Sequence, residues 1–288
     1  MKLFLILITS ISPSFLFSQT TKVVDTTQTE ISERNVNNGK FPFITNLPYD
    51  LKEIGKSPFQ KKNQRGFLIT AGATALLMPF DQAITNGVKH IFRQINVDPE
   101  TDYTVAFKIG KTKFFKVPHN PTSLFYELGE GSTSMMLASV LYIYGKIDNN
   151  KRAVRTASDI TETFITMGLT TQVLKRISGR QSPFAATSAG GEWHPFPSFK
   201  KYQLHTSNYD AFPSGHLSTM MATVTTIALN YPEKKWVKPL GYSLMTLTGL
   251  AMINTDVHWI ADYPLALALG YISAKITHAK YYKKRRLL

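Results

Sequence analysis

Two side chains near the C-terminal end of the chain have the types and spacing of a nucleophile and its partner. His258 and Asp262 are four residues apart in the segment H-W-I-A-D. On a helix, this spacing places both side chains on one face, where the carboxylate accepts the second N–H of the imidazole. That contact fixes the ring tautomer and stabilises the charge that a nucleophilic imidazole acquires. Pro264 favours a first helical turn and so places His258 in the preceding loop. A His–Asp contact that only caps a helix is the alternative.

A second histidine belongs to the segment P-S-G-H, residues 213–216, directly before an apolar helical pattern. Ser214 has the type and position of a helix N-cap. A helix N-terminus with a glycine and unpaired backbone N–H groups also binds anions, and Gly215 at this place would hold His216 against such an anion. In the alternative interpretation, Ser214 is only a cap and His216 is a solvated surface residue.

The third segment runs from Lys175 to Pro183 and reads K-R-I-S-G-R-Q-S-P. It follows a helical pattern, and Gly179 is suited to ending that helix. Cations at a helix C-terminus are favourable for electrostatic reasons alone, so an ordinary basic cap is one interpretation. In the other, Lys175 and Arg180 grip a phosphate in a loop-lined pocket, with the arginine as a bidentate fork.

In this order, the three segments resemble the signature of the type 2 phosphatidic acid phosphatase superfamily. That superfamily includes bacterial acid phosphatases, lipid phosphatases and vanadium-dependent haloperoxidases, and the resemblance covers roughly residues 65–280. It implies an all-α, single-domain bundle with the three segments at one end, and a metal-independent phosphatase without a cofactor. His258 would form a phosphohistidine, Asp262 would orient it and His216 would be the general acid. The phosphoryl oxygens would be held by Lys175, Arg180 and the amides of Ser214 and Gly215.

The chain departs from the family pattern at two arginine positions, where it has Ser182 and Met252. A phosphate-clamping arginine is worth roughly a thousandfold in rate, so a non-catalytic protein that binds anions or lipids is an alternative function. A vanadate-dependent haloperoxidase ranks lower, because such enzymes rely on a dense arginine clamp. Several cations near the motifs are candidate substitutes or, alternatively, solvated charges: Arg152, Arg155, Arg176, Lys200, Lys201, His194 and His205.

Apolar residues recur at helical spacing in segments that must position these side chains, which predicts a bundle of about six core helices. The segments are 66–93, 122–146, 152–178, 214–231, 236–253 and 260–280. Their longest stretches without charged residues or histidine are 66–80, 217–232 and 239–255, each shorter than the roughly 20 apolar residues of a spanning helix. With a mean hydropathy of −0.11, this favours a soluble domain, with 239–255 as the borderline case.

Four regions are predicted along the chain. Residues 1–19 have the charged start and apolar stretch of a secretory signal peptide, which predicts export, and an uncleaved membrane anchor is the alternative. Polar residues in 20–60 predict a mostly disordered or extended lead-in. The phosphatase-like helical domain is expected over 61–280, and a basic tail over 281–288. For a bacterial chain, export would give a periplasmic location.

Charge and cysteine content narrow the classes of partner and chemistry. Lysine and arginine outnumber acidic residues 33 to 19, which favours anionic partners. No nucleic-acid-binding signature is found, so a phosphorylated small molecule or a lipid is the expected substrate. The basic tail is either solvated or in peripheral contact with an anionic membrane. The absence of cysteine excludes thiolate nucleophiles, disulfides and zinc knuckles.

Overall fold

The computed structural model describes residues 42–110 and 112–283, and this part of the chain is predominantly helical, as the sequence predicts. The α-helices are α1 (Pro42–Thr45), α2 (Leu47–Lys56), α3 (Lys61–Leu77), α4 (Asp81–Gln94), α5 (Pro121–Gly129), α6 (Gly131–Ile147), α7 (Lys151–Ser178), α8 (Phe199–Leu204), α9 (Gly215–Asn230), α10 (Val237–Asn254) and α11 (Tyr263–Lys283). One antiparallel hairpin, β1 (Tyr103–Ile109) and β2 (Thr112–Pro118), was not expected from the sequence.

Two of the six predicted helical segments are broken by single turns. The segment 66–93 contains a 3₁₀ turn at Met78–Phe80, where Pro79 cannot donate a helical hydrogen bond. The segment 122–146 breaks at Glu130, whose extended backbone ends α5 and begins α6. Periodicity alone did not reveal these breaks, because the apolar spacing continues across both of them.

The core is centred on α9, which packs between α7, α10 and α11. Met221 is fully buried and packs with Met245, Ile253 and Ala266. A glycine at position 270 allows α11 to approach α9 closely, because a Cβ there would lie 2.4 Å from the Ser218 backbone oxygen. Since α9 and α11 begin at the same end of the bundle, this packing brings the P-S-G-H segment beside the turn that contains Asp262.

The described part of the predicted lead-in, residues 42–60, is helical and not disordered or extended. The reason is an ion cluster: the Lys280 ammonium on α11 lies 2.6 Å from an Asp50 carboxylate oxygen on α2 and also contacts Glu162 on α7. Both carboxylates are fully buried, and burial raises the pKa of Asp50 to about 7. The predicted signal peptide, residues 20–41 and most of the basic tail lie outside the described residues.

Residues 61–94, which include α3 and α4, form the single helical run of the described chain that is long and apolar enough to cross a membrane. Only 22% of its most apolar window is buried. From the sequence, 239–255 was the borderline candidate for a membrane-spanning helix, because the uncharged stretch that begins at residue 66 ends at Phe80, before Asp81. In the structure, Asp81 is buried against an arginine and the helical run continues past it.

Replacing Lys280 by methionine should lower the free energy of unfolding by about 3–5 kcal/mol, because two buried carboxylates lose their counter-ion. Lys275→Met, on the exposed side of the same helix, is the control and should change stability by less than about 1 kcal/mol. Denaturant unfolding of both variants measures the difference. Equal stabilities would show that the cluster does not hold α2 on the domain.

Candidate phosphoryl-transfer site

His258 lies in the loop between α10 and the 3₁₀ turn Ile260–Asp262, as Pro264 predicted, and is buried. Its Nδ1 donates to the Ala211 carbonyl oxygen at 2.8 Å. A carbonyl only accepts, so Nδ1 carries the proton and Nε2 keeps its lone pair. Burial, with the nearby charges of Lys175 and His216, lowers the pKa of His258 well below its usual value. The imidazole is therefore neutral and has the state that a nucleophile requires.

Asp262 supports this histidine less directly than the four-residue spacing predicted. Its Oδ2 lies 3.6 Å from His258 Nδ1, and its two oxygens accept from the Trp259 backbone N–H at 2.8 Å and from Arg180 at 2.7 Å. Burial raises the pKa of Asp262 to about 7, against the opposing effect of Arg180. Asp262 thus fixes the turn that carries His258, while the Ala211 carbonyl accepts the hydrogen bond from the ring Nδ1–H.

Arg180 does not lie open to a phosphate. It is buried, donates to Asp262 and to the Gly190 carbonyl oxygen at 2.8 Å, and forms a short ion pair with Asp81. Both terminal nitrogens are therefore engaged, and only Nε lacks a partner in the described structure. Arg180 thus bridges two buried carboxylates in this structure, and the phosphate-binding role that the resemblance implied stays a prediction.

Asp81 is a site residue that the sequence analysis missed. It begins α4 and is fully buried, and its second oxygen accepts from the Ala261 backbone N–H at 3.0 Å. Burial raises its pKa, which Arg180 opposes. The only sequence signal was a lone acid within an apolar stretch, at a position 99 residues from Arg180.

Lys175, Ser214 and Gly215 come together, as the sequence predicted. Lys175 is largely buried, and its ammonium lies 3.7 Å from the position that a Cβ at Gly215 would take. It is 3.5 Å from an Asp210 carboxylate oxygen. Ser214 caps α9 by accepting from the Leu217 N–H at 3.4 Å. A lysine beside a helix N-terminus is a combination that binds anions.

His216 lies in the first turn of α9 beside the nucleophile candidate. The ring centroids of His216 and His258 are 5.9 Å apart. Tyr126 on α5 contacts the His216 ring edge to face at 4.8 Å, and Glu130 Oε1 lies 3.8 Å from its Nε2. The two histidines thus flank a common space, and neither is a solvated surface residue.

Ser182 and Met252, which stand at the family's two arginine positions, are both buried and carry no charge. Arg152 and Arg155 lie in the first turns of α7, about 30 Å along the helix from Lys175. They pair with Glu233 and Asp159 respectively.

The remaining candidate cations also have other contacts or exposed positions. Arg176 stacks on Tyr202, and His194 pairs with Glu192. Lys200 and Lys201 are exposed on α8. His205 borders a cavity of about 710 Å³ together with Ser182 and Asp210, so it is the candidate that comes nearest to a missing arginine position.

A buried histidine, a second histidine beside it and a lysine at a helix N-terminus thus lie close together in this helical domain. In the described residues, no group of three or more histidine and acidic side chains is arranged to hold a metal ion. Residues 156–286 match the model of the PAP2 superfamily. The match includes all three motifs.

One curated relative is the lipid A 1-phosphatase of Porphyromonas gingivalis, which is 28% identical over 80 residues. These residues cover 27% of this chain and 18% of the relative, so the chain matches under a fifth of that protein's length. No solved structure matches the chain.

Arg180→Gln should lower the free energy of unfolding by about 3–5 kcal/mol, because it leaves Asp81 and Asp262 buried without a cation. Arg93→Gln, at an exposed position on α4, serves as the control and should cost less than about 1 kcal/mol. Chemical denaturation without any ligand measures both. An unchanged stability for Arg180→Gln would mean that this arginine is free to bind phosphate instead.

Proposed function

We propose that this protein is an exported phosphatase that hydrolyses a phosphate monoester or a lipid phosphate or pyrophosphate through a phosphohistidine at His258. The observation that carries this proposal is the state of the His258 imidazole, which is neutral, oriented by the Ala211 carbonyl and next to His216. The match of residues 156–286 to the model of the PAP2 superfamily supports the same reaction class.

The reaction proceeds in two displacements. Nε2 of His258 attacks phosphorus, the bond to the leaving oxygen breaks, and His216 gives that oxygen a proton. Water then attacks the phosphohistidine and passes a proton to the now neutral His216, which releases phosphate and restores Nε2. During the first step, the His258 ring gains positive charge, and the Ala211 carbonyl and the nearby Asp262 carboxylate stabilise it.

Lys175 and the N-terminus of α9 stabilise the negative charge on the phosphoryl oxygens. Both lie within the protein and not in bulk solvent, so their interaction with charge is strengthened by the low local dielectric. Asp210 pairs with Lys175 when no phosphate is bound. Phosphate binding therefore exchanges this carboxylate for the phosphoryl group, which keeps the buried ammonium paired throughout.

Exposed apolar surface supports a lipid as the natural substrate. The helix α6 begins beside Glu130 at the site and extends for about 25 Å. Large apolar side chains are exposed along α3 and α6, more than a water-soluble monomer normally shows: Phe67, Leu68, Ile69, Leu76, Met136, Leu137, Val140, Tyr142, Ile143, Tyr144 and Ile147. If the acyl chains of a lipid lay along these helices, its phosphate group would be placed at the site.

A second candidate is a non-catalytic protein that binds phosphate or anionic lipid. The buried, uncharged residues Ser182 and Met252 at the family's arginine positions favour it, as does the engagement of Arg180 with two carboxylates. It shares the binding site of the first candidate and differs only in turnover. Phosphate release therefore separates the two functions.

His258→Ala should abolish release of phosphate from p-nitrophenyl phosphate and from a lipid phosphate in detergent micelles. Quenching the wild-type protein during turnover of ³²P-labelled substrate should leave alkali-stable label on the protein, and the variant should carry none. His90→Ala, at an exposed position on α4, is the matched control and should keep the label. Equal turnover by His258→Ala would exclude this mechanism, and phosphate binding without turnover by wild type would favour the second candidate.

The His258 ring should remain neutral when the pH falls through the ordinary histidine pKa of about 6.5, because its own pKa is lowered by burial. Nε2 takes up a proton only at lower pH, so the ring loses its nucleophilic lone pair only in more acidic solution. Nitrogen-15 NMR of histidine-labelled protein, assigned with His258→Ala, measures this titration. A ring that becomes charged above pH 6.5 would contradict the assigned state.

A further inference from the structure

We propose that Glu130 is a positioning residue for the general acid, which holds His216 as an imidazolium with Nδ1–H directed to the leaving group. This inference rests on the proposed phosphatase function and adds a residue outside the three motifs and outside the family match at 156–286. The residue belongs to the segment E-L-G-E-G, residues 127–131, in which one helix ends and the next begins.

The break between α5 and α6 brings Glu130 to the histidine. Glu130 has an extended backbone and precedes the first residue of α6, so its side chain leaves the helical direction. Its Oε1 lies 3.8 Å from His216 Nε2, and that nitrogen is buried without a hydrogen-bond partner in the described structure. The carboxylate is thus the nearest acceptor for an Nε2 proton.

A glycine beside Glu130 determines which edge of the ring faces the carboxylate. A Cβ at Gly129 would lie 2.7 Å from His216 Cβ and 3.0 Å from its Cδ2, so only glycine lets the ring sit here. The Cδ2 and Nε2 edge therefore faces the α5–α6 junction. Nδ1 lies across the imidazole from Cδ2 and is the ring nitrogen that does not face Glu130 in this arrangement.

The charges around the pair favour an anionic Glu130. Its contact with His216 is the largest cause that lowers the pKa of Glu130 to about 2, although burial opposes this shift. Lys116 on β2 lies 3.5 Å from Glu130 and also pairs with Glu127 at 2.8 Å. The other groups that face His216 are the ring of Tyr126 and the neutral ring of His258. An adjacent carboxylate stabilises a charged imidazole.

A residue that acts through the general acid has a recognisable kinetic effect. Proton donation matters most when the leaving group is a poor one, such as an alkoxide, and little when it is p-nitrophenolate, which leaves without a proton. Loss of a residue that only maintains the fold would lower turnover of both kinds of substrate by the same factor. The ratio of the two rates therefore separates a positioning role from a structural one.

Glu130→Gln keeps the size of the side chain and removes its charge. We expect kcat for an alkyl phosphate to fall tenfold or more, and kcat for p-nitrophenyl phosphate to fall less than about threefold. The alkaline limb of the pH–rate profile for the alkyl phosphate should move to lower pH, because a neutral amide no longer favours the imidazolium. In a His216→Ala background, the same substitution should have no further effect.

Glu127→Gln is the matched control, because Glu127 shares Lys116 but has no contact with His216. It should leave the ratio of the two substrate rates unchanged. An equal fall for both substrates in Glu130→Gln, or no fall, would overturn the role of Glu130 while leaving the phosphatase function intact. If the wild-type protein hydrolysed neither substrate, the proposed function itself would fail.

Discussion

The buried guanidinium of Arg180, held between Asp81 and Asp262, is the interaction on which the site depends. It joins the start of α4, the loop after α7 and the turn before α11, three parts of the chain that are distant in sequence. A charge buried alone costs several kcal/mol, so each of the three groups is stable there only when the others are present. The turn that carries His258 is fixed as a result, because Asp81 and Asp262 also accept backbone N–H groups from it.

This use of Arg180 leaves other groups to bind a phosphate. In the proposed mechanism, the site relies on Lys175 and the N-terminus of α9 in place of several open arginines. Both are fixed before the ligand arrives, so little reorganisation is needed when charge develops.

The sequence predicted the parts of the site that are determined locally. Ser214 caps α9 and the helical core follows the apolar periodicity, because both depend on neighbouring residues. Arg180 was placed in the site but given the wrong partners, since its carboxylates come from positions that no local pattern connects. Asp81 and Glu130 were missed for the same reason, and their roles depend on tertiary contacts. The helices within 42–60 also depend on such a contact, through Lys280.

The proposed mechanism needs opposite charge states on two histidines whose ring centroids are 5.9 Å apart, and their surroundings differ. His258 is buried deeply with Lys175 nearby, and both effects oppose a proton on the ring. His216 instead borders the carboxylate of Glu130, 3.8 Å away. Both side chains are histidines, so the P-S-G-H and H-x-x-x-D motifs alone do not determine which one is the nucleophile and which one is the acid. The roles proposed for the two rings therefore rest on the desolvation of His258 and on the carboxylate of Glu130 beside His216.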